Sequence, residues 1–151
     1  MARAFQFQQL LELSQERSEK ASQAMSACRA EWQQTELKLQ QLEAFRAEYR
    51  ERLLQHEQRG IGVQQWRDQQ QFILKLDLAI QHQHGDVERA RSQFEAAKAA
   101  WMDVEKQVNA YKTLADRHHV HQAKREAKAE QKALDEFAGR SASSRGDAEG
   151  G

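Results

Sequence analysis

The chain of 151 residues is long enough for one domain, but 39% hydrophobic residues, 30% charged residues and a mean hydropathy of -0.95 argue against a globular apolar core. Its 23 basic and 23 acidic residues are mixed along the sequence, so no charged stripe points to nucleic acid or to an anionic membrane. The single cysteine, Cys28, excludes an internal disulfide, and we find neither a signal sequence nor a transmembrane segment. These features predict a cytoplasmic protein.

Helix formers dominate the sequence, which has no proline and only 7 glycines. In the second half, apolar residues recur every seven positions, as the seam of a coiled coil requires. The predicted seam of that half contains Trp66, Ile73, Ile80, Val87, Phe94, Trp101 and Val108. The first half repeats the pattern less strictly, with Leu11, Met25, Trp32, Leu39 and Leu53.

A turn is indicated between the two halves, in "RGIGV", because Gly60 and Gly62 allow the chain to leave one helix and enter another without strain. The fold class expected is all-α: a long antiparallel two-helix coiled-coil hairpin with a helical C-terminal extension and a disordered tail. We place the helices at about 5–59 and about 63–138, with the turn at about 60–62. A single domain then spans 1–140, and the Ser- and Gly-rich tail spans 141–151. Long helices exchanged between chains would bury the same residues.

Phe72 and Ala79 stand one step off the seam of the second half. Equal rise per residue on the two sides of the turn predicts which residues of the two helices face each other. This register pairs Leu42 with Ala79, Phe45 with Leu76, and Tyr49 with Phe72. An exposed aromatic cluster on a charged helix pair is typical of a partner-binding surface, while the alternative is that these residues only widen the core.

Catalytic and metal-binding patterns are weak in this sequence. It has no GxxxxGK[ST] phosphate loop. Cys28 falls on the seam, where a buried cysteine acts as a small hydrophobe. His118 and His121 share one helical face but lack neighbouring ligands, so we interpret them as solvated. We therefore expect neither an enzyme nor a cofactor or metal site.

A set of residues spread over most of the chain carries a family resemblance. The set consists of Tyr49, Gly60 followed by Trp66, Gln70-Gln71-Phe72 with Leu76 and Ile80, Trp101, Thr113-Leu114 with Asp116-Arg117, and Asp135-Glu136-Phe137-Ala138. On these residues the sequence resembles the FliJ family, a coiled-coil component of the bacterial flagellar type III protein export apparatus.

The resemblance implies a coiled coil, similar to the central stalk of rotary ATPases, that enters the hexameric ring of the export ATPase (FliI) and promotes its assembly and activity. It also implies binding to the cytoplasmic domain of the export gate FlhA, and possible contacts with export chaperones, at the inner membrane beneath the flagellum. The gate contact implied by the family falls on Lys38, Leu42, Phe45, Tyr49, Phe72, Leu76, Ala79 and Gln83.

Two other interpretations remain open. An adaptor that recycles export chaperones would use the same apolar residues without any ATPase contact. The equivalent stalk of a virulence-type secretion system would share the architecture and the length.

Overall fold

A computed structural model describes the backbone of residues 2–149 and the side chains of residues 6–146. Helix α1 spans Ala2–Arg59 and helix α2 spans Val63–Glu149, and the two helices pack against each other. No strand occurs among the described residues. The predicted all-α helical hairpin is therefore confirmed.

The turn between α1 and α2 consists of residues 60–62. Gly60 has a φ of 88°, a left-handed conformation that costs glycine little and that residues with a Cβ rarely adopt. Its backbone N–H donates to the carbonyl of Glu57 at 3.4 Å, and the N–H of Trp66 donates to the carbonyl of Gly62 at 2.9 Å. The first glycine thus ends α1, and the second provides the first backbone acceptor of α2.

Helix α2 is longer at its C-terminal end than the sequence predicts. It continues through residues 139–149, where we expected a disordered tail to begin at 141, while residues 150 and 151 lie outside the described part. No proline interrupts this stretch, and each of Gly139 and Gly146 costs only about 1 kcal/mol relative to alanine in a helix that is already propagating. The division into a domain at 1–140 and a tail stays a prediction.

Packing divides the chain into two units. The turn unit consists of Arg17–Glu105, and the terminal unit combines Met1–Glu16 with Lys106–Gly151. Within the turn unit, alternating steps of three and four residues along α2 place one face against α1. The buried apolar residues there are Leu53, Ile73, Leu76, Ile80, Val87, Ala90 and Phe94, and α1 adds the half-buried Met25, Trp32, Leu39, Leu42 and Tyr49.

The terminal unit has a smaller core. Val108 and Ala115 of α2 are buried, and so is Ser14 of α1, whose hydroxyl donates to the carbonyl of Leu11 at 2.8 Å. The rings of Phe7 and His118 pack with their centroids 5.7 Å apart. Residues 123–140 of α2 are exposed throughout.

Most residues of the predicted seam are buried or half-buried, but Trp66 is 38% exposed. Trp66 lies in the first turn of α2, where the end of α1 presents polar side chains. Its indole N–H donates to Oε1 of Glu57 at 2.7 Å. A tryptophan that satisfies its N–H in this way covers the helix end rather than entering the core.

Phe94 tests how far the seam stabilises the fold. It is 6% exposed and stacks on Trp32 with ring centroids 5.4 Å apart. We expect Phe94→Ala to lower the free energy of unfolding by about 3 kcal/mol, because the truncation removes buried apolar area and leaves a cavity. Urea denaturation followed by circular dichroism measures this. Leu78→Ala, at a 66% exposed position of the same helix, should cost less than about 0.5 kcal/mol, and equal costs would contradict the packing.

Candidate partner-binding site

Three aromatic rings from both helices meet in the turn unit. Phe45 and Tyr49 lie one turn apart on α1, with ring centroids 4.9 Å apart. Phe72 of α2 packs on Tyr49 at 4.5 Å and meets Phe45 nearly edge to face at 6.4 Å. Such offset and tilted arrangements are the favoured geometries of aromatic pairs. The Tyr49–Phe72 contact agrees with the register that was counted from the turn.

This aromatic cluster is only partly covered by the rest of the protein. Phe45 is 43% exposed and Phe72 is 37% exposed, while Tyr49 is half-buried beneath them. The guanidinium of Arg52 lies over the Tyr49 ring at 5.6 Å, which adds a cation–π contact at the edge. The cluster therefore offers two open aromatic faces on a fixed base.

The aliphatic members of the predicted site differ in how accessible they are. Ala79 is exposed and Leu42 is half-buried, so both can border a surface next to the aromatic rings. Leu76 is 8% exposed and belongs to the core beneath the cluster. Leu76 therefore has little surface left for a partner.

Gln83 was predicted to contact a partner, but it lies in the core. It is 4% exposed, and its amide donates to the backbone carbonyl of Thr35 at 3.0 Å. The hydroxyl of Thr35 in turn donates to the carbonyl of Trp32 at 2.7 Å. Gln83 occupies a seam position, and a buried amide there must find a partner on the facing helix. It links the two helices and has little surface left for a partner.

Lys38 is exposed and borders an open polar groove of about 390 Å³. The groove lies between Thr35 and Lys38 on α1 and Asp86 and Arg89 on α2. A hydrogen bond from the Arg89 guanidinium, together with nearby positive charges, holds the pKa of the Asp86 carboxyl below its usual value. At neutral pH this groove therefore presents paired charges of both signs.

Three charged residues outside the predicted site join the helices near the cluster. Asp77 accepts from Arg46 at 2.9 Å and lies 3.5 Å from the guanidinium of Arg50. Arg46 interrupts the apolar seam of α1, and this interruption is the signal that could have pointed to an acidic partner on α2.

His118, His121 and Cys28 differ in how far the rest of the protein covers them. His118 is half-buried with its Nε2 lacking a hydrogen-bond partner, and His121 is exposed. Cys28 is half-buried along α1. Within the part of the chain that the structure describes, no three His, Cys, Asp or Glu side chains are grouped to hold a metal ion. None of the helices in that part is long and apolar enough to cross a membrane.

The buried amide of Gln83 links α2 to α1, so changing it tests how the two helices pair. We expect Gln83→Glu to lower the free energy of unfolding at pH 7 by about 3 kcal/mol, because a buried carboxylate would face the Thr35 carbonyl, another acceptor. The loss should shrink as the pH falls, since protonation restores a donor and removes the charge. Denaturant titrations at several pH values measure this. Gln93 is exposed and borders the polar groove that Lys38 and Gln83 also line, so Gln93→Glu is the control. A loss that did not depend on pH would argue against a buried amide.

A pair of long helices with an apolar core and a partly exposed aromatic cluster places the chain in the class of all-α helical hairpins. The family model described as "Flagellar FliJ protein" matches residues 3–147. The chain is similar to the flagellar FliJ protein of Salmonella typhi, with 29% identity over 142 residues, 94% of this chain and 97% of that protein. It is also similar to that of Escherichia coli K12, with 29% identity over 133 residues, 88% of this chain and 90% of that protein.

The chain belongs to the flagellar FliJ family. Membership in this family supports a role related to flagellar protein export. The resemblance seen in the sequence is therefore confirmed at the level of the family.

Proposed function

We propose that this protein is a stalk-like component of flagellar type III export that binds both the export ATPase and the FlhA gate. The observation that carries the proposal is the aromatic cluster of Phe45, Tyr49 and Phe72, which is built from both helices and remains partly open. Aromatic side chains on a fixed base are the residues that most often dominate binding energy in protein interfaces.

In this proposal the turn unit contacts the cytoplasmic domain of FlhA. Phe45 and Phe72 supply the exposed rings, with Leu42 and Ala79 at the border and Lys38 at the polar end. Tyr49, Leu76 and Gln83 are more covered and support the surface from within. The gate contact thus divides into residues that touch the partner and residues that position them.

The terminal unit binds the ring of the export ATPase in this proposal. Support comes from the exposed stretch of α2 at residues 123–140, in which Leu134 is 63% exposed and Phe137 is 72% exposed. Exposed large apolar side chains on an otherwise charged helix favour a protein partner. The protein would act in the cytoplasm, at the membrane only through the export apparatus.

The deciding experiment is ATP hydrolysis by the purified export ATPase with and without this protein. A rise in rate, together with binding of the FlhA domain to the aromatic cluster, supports a stalk that joins the two machines. An unchanged rate under conditions where the ring is assembled favours the adaptor that recycles export chaperones instead. Chaperone binding that is lost on changing the cluster would then identify the adaptor's surface.

A further inference from the structure

The helix pair near the aromatic cluster carries a charge where a coiled coil usually carries an apolar side chain. Arg46 lies seven residues after Leu39 and seven before Leu53, so it occupies a seam position of α1. Leu53 is buried, Leu39 is half-buried, and the Arg46 side chain is itself only 27% exposed. At this position a guanidinium therefore replaces the apolar side chain that normally holds a helix against its neighbour.

Asp77 of α2 supplies the compensating charge. Its Oδ1 accepts a hydrogen bond from Nη1 of Arg46 at 2.9 Å and lies 3.5 Å from Nη2 of Arg50, whose side chain is 56% exposed. The Asp77 side chain is 31% exposed, so both members of the closer pair are largely withdrawn from water. Removing one partner of a covered ion pair leaves the other charge uncompensated, whereas replacing both by apolar groups costs little.

This ion pair connects the same two stretches of helix as the aromatic rings do. Arg46 directly follows Phe45 and precedes Tyr49 by three residues on α1, while Phe72 and Asp77 lie five residues apart on α2. A rotation of α1 about its axis that carried the Arg46 guanidinium to water would move both rings of α1 relative to Phe72. The charge pair and the ring contacts are therefore geometrically linked.

We propose that Asp77 is a positioning residue for the aromatic cluster: its carboxylate keeps the Arg46 guanidinium between the helices and so holds Phe45 and Tyr49 against Phe72. In coiled coils, a polar residue at a seam position commonly fixes how the helices align, at a cost in stability. The consequence for FlhA binding rests on the proposed function, whereas the positions of the rings do not.

Nuclear Overhauser contacts between the ring protons of Tyr49 and Phe72 test the proposal in the full-length protein, because the ring centroids lie 4.5 Å apart. We expect Asp77→Ala to abolish these contacts while circular dichroism shows unchanged helical content. Adding Arg46→Leu to Asp77→Ala gives an apolar seam, so the double variant should regain the contacts. Such a rescue separates the uncompensated charge from a general loss of stability.

Glu43→Ala is the matched control. Glu43 also pairs across the helices, with its Oε1 3.6 Å from Nε2 of His84, but neither residue occupies a seam position. The ring contacts should stay unchanged in this variant. The proposal is overturned if Tyr49 and Phe72 keep their contacts in Asp77→Ala, if the double variant fails to regain them, or if Glu43→Ala loses them equally.

Affinity for the FlhA domain then distinguishes a failure of this inference from a failure of the proposed function. We expect Asp77→Ala to weaken binding about fivefold, as couplings within one side-chain network typically do, and the double variant to restore it. If the unmodified protein does not bind FlhA while the ring contacts respond as expected, the proposed function fails and the positioning role stands. Unchanged binding by an Asp77→Ala variant that has lost the ring contacts would overturn the step from ring positions to partner binding.

Discussion

Replacing Phe72 and Tyr49 together with alanine should reduce affinity for the cytoplasmic domain of FlhA by about 100-fold or more. When an aromatic side chain is a hot spot at the centre of an interface, its truncation to alanine typically lowers the binding free energy by at least about 2 kcal/mol. Phe72 supplies an exposed ring, and Tyr49 supports it with centroids 4.5 Å apart. Isothermal titration calorimetry with the purified FlhA domain measures the effect.

The contact between the Phe72 and Tyr49 rings also predicts how the two single variants behave. Because each ring positions the other, the single variants Phe72→Ala and Tyr49→Ala should each lose most of what the double variant loses. Phe137→Ala, which truncates a 72% exposed ring of the terminal unit, is the matched control and should keep full affinity. If the double variant bound FlhA like the unmodified protein, the gate contact would have to lie elsewhere.

The core of the turn unit could be predicted from the sequence because its apolar residues recur at regular spacing. Ile73, Ile80 and Val87 are separated by seven residues, and the structure buries all three. Counting outward from the glycine turn also paired Tyr49 with Phe72, whose rings are in contact. Both inferences depend only on helix geometry, which leaves few choices once the turn is located.

The polar residues were harder to place, because their environment depends on what the facing helix offers. Gln83 was predicted as a contact residue from the family resemblance alone, yet it is buried where the carbonyl of Thr35 can accept from its amide. Trp66 fits the heptad spacing, but it lies beside the polar end of α1 and pairs with Glu57. Neither partner can be identified from spacing along one helix.

Composition was a poor guide to where α2 ends. The Ser- and Gly-rich sequence after residue 140 resembles a disordered segment, yet the helix reaches Glu149. Helix nucleation is the costly step, so a helix that has already formed can extend through weak helix formers. Sequence composition reports the intrinsic preference of a segment, whereas its conformation also depends on the helix that precedes it.

Ending the chain after His118 should abolish stimulation of the export ATPase, with the hydrolysis rate returning to that of the ATPase alone. The truncation removes the exposed stretch at 123–140, including Leu134 and Phe137, which we assign to the ATPase contact. Affinity for the FlhA domain should stay within about twofold, because the truncation keeps every residue of the turn unit, which contains the aromatic cluster.

A variant with two substitutions distinguishes the loss of side-chain contacts from the loss of the helix itself. Leu134→Ala combined with Phe137→Ala keeps strong helix formers at both positions, so circular dichroism should show unchanged helical content while stimulation falls. The Phe72→Ala and Tyr49→Ala double variant provides the opposite comparison: it should stimulate the ATPase fully while it fails to bind FlhA. Stimulation that survived the truncation would mean that the ATPase does not bind through the terminal helix. The assignment of the two units to the two partners would be reversed if the truncation also abolished binding of FlhA, because the truncation changes only the terminal unit.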